Sequence, residues 1–461
     1  MASVTGPEKQ TGGEGKPRVV IVGGGMAGLS AAKALRNAPV RVDVIDRNNH
    51  NVFQPLLYQV ATSELGTAQI AAPIRSVLKG QRNTTTILGE VTGVNPAQRC
   101  VYVSDYDRKD VPVPYDYLVL ATGARGSYFG HNEFAAHAPG LKTIADAVAV
   151  RNKILEAFER AEAEEDPRSH RDLLTFVLVG GGPAGVEMAG AIAVLVRKTL
   201  RSEFRRIDPT SARIVLVDAA PRILNNLVGP DGSRAAQARL ERLGVEVRTG
   251  HPVEKVDAEG VFVAGERIAS KTVIWTAGVE PSPAGKWLQA ATDRAGRVKV
   301  NADMTVPGHD NIFVVGDTMT LEQDGKPLPG VAQVALQQGR YVGRLIARRV
   351  AGEPPPKPFR YFDKGNMAIV GSGYAVLQSG KFSLAGVLAF WVWAVIHIAY
   401  LAQVSMRLTV VAQWIWTYLT RQRGSRLIVN HHEWRTDKPD AIPSLPSLPS
   451  LPSLPVKQTG G

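Results

Sequence analysis

Two stretches of the chain repeat one hydrophobic rhythm. In the first, a continuous run rich in β-branched residues, Arg18 to Val22, meets a glycine-rich turn. An apolar-faced segment from Leu29 to Leu35 and a second run, Arg41 to Ile45, follow. Runs apolar at every position suit strands buried on both faces, so the order predicts strand, turn, helix and strand of a parallel sheet. At Leu173 the rhythm restarts: LLTFVLV, a glycine turn, an apolar helix, then Ala212 to Asp218. The two turns begin at Gly23 and Gly180, 157 residues apart, too widely spaced for a solenoid repeat. YDYLVLATGA (Tyr115 to Ala124) and TVIWTAG (Thr272 to Gly278) form a second matching pair of buried strand and small-residue turn, and NIFVVGD (Asn311 to Asp317) adds one more strand.

Between the repeats, residues 146–172 form a charged, helix-favouring stretch with Ile154, Leu155 and Phe158 on one face. Glu162, Glu164, Glu165 and Asp166, just before Pro167, read as a solvated helix end rather than a metal site. The pattern changes after PPPKP (Pro354 to Pro358), a stiff linker. Leu384 to Met406 holds 23 residues without Asp, Glu, Lys or Arg. Leu408, Val411, Ala412, Ile415, Trp416 and Leu419 then recur at helical spacing, with Thr409, Gln413, Thr417 and Thr420 opposite. About 20 apolar residues suffice to span a bilayer. Basic residues on both sides (Lys364 and Lys381 before; Arg407, Arg421, Arg423 and Arg426 after) leave little asymmetry to orient a span. His397, Tyr400, Gln403 and Arg407 also fall on one helical stripe. A helix lying in the membrane plane is therefore expected, with a single-pass helix as the alternative.

The fold class expected is α/β, with two Rossmann-like dinucleotide-binding domains, the second inserted in the first, plus a C-terminal membrane-associating helical region. The first domain takes 17–145 and 300–353, the second 146–299, and the membrane-anchoring region 354–430. Residues 1–16, small and polar with no signal-peptide core, read as a disordered cytoplasmic tail. Residues 431–461, with prolines at 443, 446, 449, 452 and 455, read as a mobile polyproline-like tail.

Lys and Arg outnumber Asp and Glu by 54 to 42, which favours anionic surfaces. The basic residues are scattered and no nucleic-acid-reading motif accompanies them, so nucleic acid is not an expected partner. The one cysteine, Cys100, allows no internal disulfide and no redox pair, and sits in a segment reading as a surface strand. The nine histidines include no HExxH, and His431 and His432 beside Glu433 read as solvated side chains, so no metal is expected.

Candidate chemistry lies in the turns. In Gly23-x-Gly25-x-x-Gly28 the first glycine permits the turn, the second lets backbone amides approach a pyrophosphate, and the third lets helix pack on strand. Asp46 ends the next strand, where a carboxylate accepts from a ribose hydroxyl. Gly180-x-Gly182-x-x-Gly185 repeats the design, and Asp218 favours a free 2′-hydroxyl, hence NADH, although Arg222 lies four residues on. Two such units imply two dinucleotides with a hydride passing between them. Thr122-Gly123 and Ala277-Gly278 place small residues beside a bound cofactor. Asp317, after Gly316, either bonds a ribityl hydroxyl or caps the next helix. Glu187, two residues past Gly185, either serves the nicotinamide and proton transfer or stabilises the helix N-terminus.

The order GGGMAG, ATGA, GGGPAGVE, TAG and VGD resembles the two-dinucleotide flavoproteins that include disulfide reductases. Within them the chain is similar to the type II, non-proton-pumping NADH:quinone oxidoreductases, through FQPLLYQVA (Phe53 to Ala61), AQVALQQG (Ala332 to Gly339), YFDKGNMAIVG (Tyr361 to Gly371) and WTYLTRQRGSRLI (Trp416 to Ile428). The resemblance covers roughly residues 17–430 and implies non-covalent FAD at Gly23, Gly25, Gly28, Asp46, Val91, Gly123 and Asp317. It implies NADH at Gly182, Gly185, Glu187, Asp218 and Gly278, quinone at Gln333 and Gln337, and Lys364 near the isoalloxazine edge. It also implies monotopic attachment to the inner face of the cell membrane with a cytoplasmic active site. The quinone, menaquinone or ubiquinone, and the oligomer, a homodimer among the options, stay open. A soluble NAD(P)H:ferredoxin-type reductase and a nucleotide-sensing flavoprotein without quinone turnover are the alternatives.

Overall fold

The computed structural model describes residues 15–429. The predicted tail 431–461 and nearly all of 1–16 lie outside that range. Its first unit opens with β1 (Arg18–Val22), α1 (Met26–Ala34) and β2 (Arg41–Asp46), matching the predicted rhythm. A short helix, α2 (Leu57–Ala61), has all five residues buried, and β3 (Thr84–Leu88) and β4 (Tyr117–Leu120) complete this half. β1 pairs in parallel with β2 and with β4, and β2 with β3. Every residue from Val19 to Val22 is buried, as expected for a strand covered on both faces.

α3 (Ile144–Ala163) starts at a reciprocal cap: Thr143 Oγ1 accepts from Asp146 N and Asp146 Oδ2 accepts from Thr143 N. Its buried stripe includes Ile154, Leu155 and Phe158. In the acidic cluster at its end Glu165 is exposed, as expected of a solvated terminus, but two of its neighbours are engaged. Glu162 instead accepts from the backbone amides of Arg205, Arg206 and Ile207, fixing a neighbouring loop, and Asp166 caps the helix Pro167–Leu173.

The second sheet follows: β5 (Thr175–Val179), α4 (Pro183–Val194), β6 (Arg213–Asp218), β7 (Val245–Thr249) and β8 (Thr272–Trp275), all parallel in the order β7-β6-β5-β8. The chain then returns to the first sheet, where β9 (His309–Val314) pairs with β4. Two crossings between the sheets, Ala124–Gly126 and Val279–Pro281, pair antiparallel with each other. Cys100 lies on a strand, Cys100–Ser104, with its own side chain buried.

α5 (Ala332–Val350) lies across α1 in backbone contact: a Cβ on Gly339 would fall 2.0 Å from Ala27 O, and one on Gly343 2.6 Å from Ala31 O. A three-stranded antiparallel sheet follows, β10 (Asn366–Ile369), β11 (Ala375–Ser379) and β12 (Phe382–Gly386), then α6 (Val387–Tyr400) and α7 (Val404–Thr420).

The single-pass alternative is overturned: among the described residues no helix is long and apolar enough to cross a membrane. The uncharged stretch is divided among β12, a 14-residue α6 and the start of α7. Fourteen residues rise about 21 Å, short of the ~30 Å hydrocarbon core. The single stripe of His397, Tyr400, Gln403 and Arg407 is likewise broken. Leu401 and Gln403 are extended, and Arg407 donates back to Leu401 O, satisfying the carbonyl at the end of α6. His397 turns inward against Trp393 and Phe53, while Gln403 donates to Ser76.

Candidate functional site

Both glycine turns are built alike. Gly23 has φ +103° and Gly180 φ +115°, and a Cβ on either would strike the neighbouring strand-end backbone, at 2.3 Å from Ala121 O and 2.7 Å from Ala277 N. On Gly28 and Gly185 a Cβ would lie 1.8 Å from the carbonyl of Gly23 and Gly180 respectively. Gly25 and Gly182 differ: a Cβ there meets nothing within 4 Å. The protein itself does not require glycine at these two helix N-caps. Open space in front of free helix-start amides is what a pyrophosphate needs, so both cradles fit a dinucleotide. Gly123 and Gly278, at φ +66° and +74°, sit in the paired turns beyond β4 and β8; Gly123 is also open, whereas Gly278 faces the ring of Phe129. Thr122 Oγ1 meets the hydroxyls of Ser282 and Thr318, and Val91 is buried in the core beside the first sheet.

The strand-end acids hold their own turns. Asp46 Oδ2 accepts from Gly24 N at 2.6 Å and Oδ1 from Asn48 N at 2.7 Å. Asp218 does the same with Gly181 N and Ala220 N. Arg222 donates to the carbonyls of Asn225 and Val228, so its guanidinium is occupied within its own loop. Asp317 caps no helix: α5 is preceded by Val331 with no side-chain cap, and the half-buried Asp317 carboxylate has no hydrogen-bond partner among the described residues. That orphaned acid lies after β9, in the short turn Gly316–Thr318, with a free hydroxyl-binding edge.

Glu187 lies in the second turn of α4, 8 % exposed. Its one hydrogen bond is a long one, 3.4 Å from Ile369 N on β10, and burial pushes its carboxyl up to about 8. It is thus protonated at neutral pH and contributes little to the helix dipole. Gln333 and Gln337 project from α5 onto the segment 361–365. Gln333 Nε2 donates to Gly365 O at 2.7 Å while its Oε1 accepts from Lys364 N, and Gln337 exchanges a pair of hydrogen bonds with the Phe362 backbone. Lys364 Nζ donates to Tyr400 OH at the end of α6.

Two features escaped the sequence reading. Gln338, fully buried, accepts from Gly316 N and so ties α5 to the Gly316-Asp317 turn. Phe129, exposed and at φ +54°, covers Gly278. The two faces of α7 differ sharply in burial. Met406 and Val410 are buried and Gln413 and Thr417 turn toward the protein, whereas Leu408, Ile415, Trp416 and Leu419 are 67, 55, 53 and 73 % exposed. Val387, Leu388, Trp391 and Val395 of α6 are exposed as well. The amphipathic spacing was visible in the sequence, and an outward apolar side is what the expected in-plane placement asks of it.

The pyridine nucleotide-disulphide oxidoreductase family model matches residues 17–339. The type II NADH:quinone oxidoreductase Ndh of Mycobacterium tuberculosis is 45 % identical over 424 residues, 90 % of each chain. The type II NADH:quinone oxidoreductase of Staphylococcus aureus is 29 % identical over 372 residues, 77 % of this chain and 88 % of that one. The structure of NDH2 from Plasmodium falciparum in complex with NADH shares the fold at a TM-score of 0.81 and 20 % identity, over 90 % of this chain and all of that one. The chain belongs to the type II NADH:quinone oxidoreductases, a branch of the pyridine nucleotide-disulphide oxidoreductases in which this chain has a lone cysteine.

Proposed function

We infer that the chain works at a membrane surface, oxidising NADH and reducing a quinone, menaquinone or ubiquinone, without moving protons across the bilayer. FAD and NADH are its cofactors, held by the first and second cradles. Bound FAD supplies a two-electron carrier between nicotinamide and quinone. In our reading Gly23, Gly25 and Gly28 admit its pyrophosphate to the start of α1, with Asp46 and Val91 beside it. Gly123, Gly316 and Asp317 offer backbone and carboxylate to its ribityl side. Gly180, Gly182 and Gly185 do the same for NADH, with Ala277 and Gly278 leaving room at the crossing. Asp218 faces the adenosine ribose, and the internal engagement of Arg222 leaves no ready cation for a 2′-phosphate, so NADH is preferred over NADPH.

Glu187 enters the site as a neutral acid that can give a proton. Gln333 and Gln337, which hold the 361–365 backbone in place, lie where quinone meets the flavin, and Lys364 adds a positive charge near the isoalloxazine edge. The division of the chain into 17–145 with 300–353 for FAD and 146–299 for NADH is part of this proposal, as is the role of 354–430 in attachment.

The observation that carries the membrane reading is the exposed apolar face of α6 and α7. Exposed Trp, Leu, Val and Ile side chains on both helices are costly in water and suit the interface plane of a bilayer. A lipid-soluble acceptor is then reached from the same side, facing the cytoplasm at the inner surface of the cell membrane. The test mixes detergent-purified protein with NADH and a short-chain quinone while following the flavin band. Bleaching by NADH and recovery on adding quinone is expected; bleaching without recovery would end the assignment.

A further inference from the structure

Phe129 is held in a conformation that its residue type resists, beside the second cradle. Its φ is +54°, a left-handed value that strains a bulky residue. Its ring is 67 % exposed, so packing in the core does not offset that strain. Gly130, at φ +94°, continues the bend.

The chain leading to Phe129 is clamped. Ala124–Gly126 pairs with Val279–Pro281, and Arg125 Nε donates to Glu280 Oε1 at 2.5 Å. Ser127 N donates to Gly278 O at 3.3 Å, and Ser127 O accepts from Trp275 Nε1 at 2.9 Å. Ser127 Oγ accepts from Phe129 N at 3.2 Å. Tyr128 packs on Trp275 with ring centroids 5.1 Å apart, and its hydroxyl donates to Ala138 O at 2.8 Å. With Ser127 and Tyr128 fixed, the Phe129 ring lies on Gly278: a Cβ there would sit 2.4 Å from Phe129 Cζ and 2.7 Å from Cε2. Any side chain at 278 would displace the ring, and φ +74° keeps that position for glycine.

Gly278 marks a definite place in the crevice. β8 flanks β5 on one side and β6 flanks it on the other. A dinucleotide lies across the carboxyl ends of such strands, with its pyrophosphate at the glycine turn. Asp218, at the end of β6, takes the adenosine ribose in the reading above, so the nicotinamide half extends toward the end of β8. The cradle and the β8 turn touch there, since a Cβ on Gly180 would lie 2.7 Å from Ala277 N. Phe129 covers the very next residue.

We propose that Phe129 is a binding and positioning residue for NADH, its exposed ring forming the wall against which the nicotinamide half packs at the β8 end of the crevice. The inference rests on the NADH reading above. An aromatic ring beside a planar heterocycle favours offset or edge-on packing, which adds affinity and restricts the tilt of the hydride donor. The clamp at Ser127 and Tyr128 limits the travel of the ring, and the left-handed backbone is what directs it onto Gly278.

The test uses the full-length FAD-loaded protein with Phe129→Asn and Phe129→Gly, since both residues accept a positive φ, and Phe129→Tyr, which keeps the ring. Titration calorimetry gives dissociation constants for NAD+, which binds without turnover, and for ADP, which has the adenosine and pyrophosphate but no nicotinamide. NAD+ should bind at least about tenfold more weakly to the asparagine and glycine variants and normally to the tyrosine variant, while ADP binds all of them like wild type. The NADH concentration that half-saturates bleaching of the flavin band should rise by the same factor, with reoxidation by a short-chain quinone keeping its rate. NAD+ affinity within about twofold of wild type in Phe129→Asn and Phe129→Gly would overturn the proposal. So would an equal loss for NAD+ and ADP, which would make Phe129 a support of the cradle. If only one of these two variants folds, it decides; if neither folds, the proposal falls, because an exposed wall residue is not needed for folding. Wild-type flavin that NADH does not bleach would sink the NADH reading itself, and the proposal with it.

Discussion

Replacing Gly339 by alanine tests whether the FAD cradle depends on two helices in backbone contact. The added Cβ would lie 2.0 Å from Ala27 O and 3.0 Å from Ser30 Cβ. Carbon and carbonyl oxygen approach no closer than about 3.3 Å, so α5 must withdraw by roughly 1.3 Å at the crossing. Such a gap forfeits about a quarter to a half of the dispersion along the seam, and overpacking of this kind costs roughly 1–3 kcal/mol. Ser30 Oγ also loses its hydrogen bond to Leu336 O. About 2 kcal/mol corresponds to a fall of roughly 4–8 °C in melting temperature for a domain of this size. Because α1 carries Gly25 and Gly28 at its start, and α5 holds Gly316 through Gln338, the displacement reaches the flavin side of the fold. Flavin content after gel filtration should therefore fall along with the melting temperature. Gly126→Ala is the matched control, since a Cβ there meets nothing and the backbone is not left-handed. A Gly339→Ala protein that melts within about 1 °C of wild type and keeps its flavin would refute the reasoning.

Glu187→Gln should alter stability with a definite sign. The native carboxyl titrates near 8 and the unfolded one near 4.5, so the native state holds the extra proton between those values and wild-type stability falls as pH rises through the window, by about 1.4 kcal/mol per pH unit. The glutamine variant lacks that slope; equal slopes in urea titrations from pH 5 to 8 would contradict the buried-acid assignment. Asp218→Ala should lower kcat/KM for NADH more than for NADPH, narrowing the preference roughly tenfold, and an unchanged ratio would remove Asp218 from cofactor selection. Changing Ile415, Trp416 and Leu419 together to serine removes about 1.5–3 kcal/mol of burial per side chain from a lipid-docked state. Flotation with vesicles should be lost while turnover of a short-chain quinone persists; retained flotation would place attachment elsewhere.

The parallel strands and their turns were legible because their causes are local. A run apolar at every position can only be buried on both faces, and a glycine needed for φ above +100°, as at Gly23 and Gly180, announces itself by residue type. Asp46 and Asp218 were found for the same reason, each closing a strand of fixed length. Glu187 was picked out by its place at the start of the second cofactor helix and by the family resemblance; its neutral state follows from burial, which only the folded chain brings about. Gln338 and Gly339 sit in one amphipathic helix like many others, and nothing local marks Gly339 as touching Ala27.

The amino-acid order therefore determined what each segment is: two strand-turn-helix units, two acids, one lone cysteine and a C-terminal pair of amphipathic segments. Tertiary structure decided which way they face. It ended α6 at Tyr400, within the uncharged stretch, where Arg407 satisfies the Leu401 carbonyl, and it left Leu408, Ile415, Trp416 and Leu419 outside because Met406 and Val410 took the inner face. Periodicity gives a helix two sides; only the partner it packs against selects the one that is hidden.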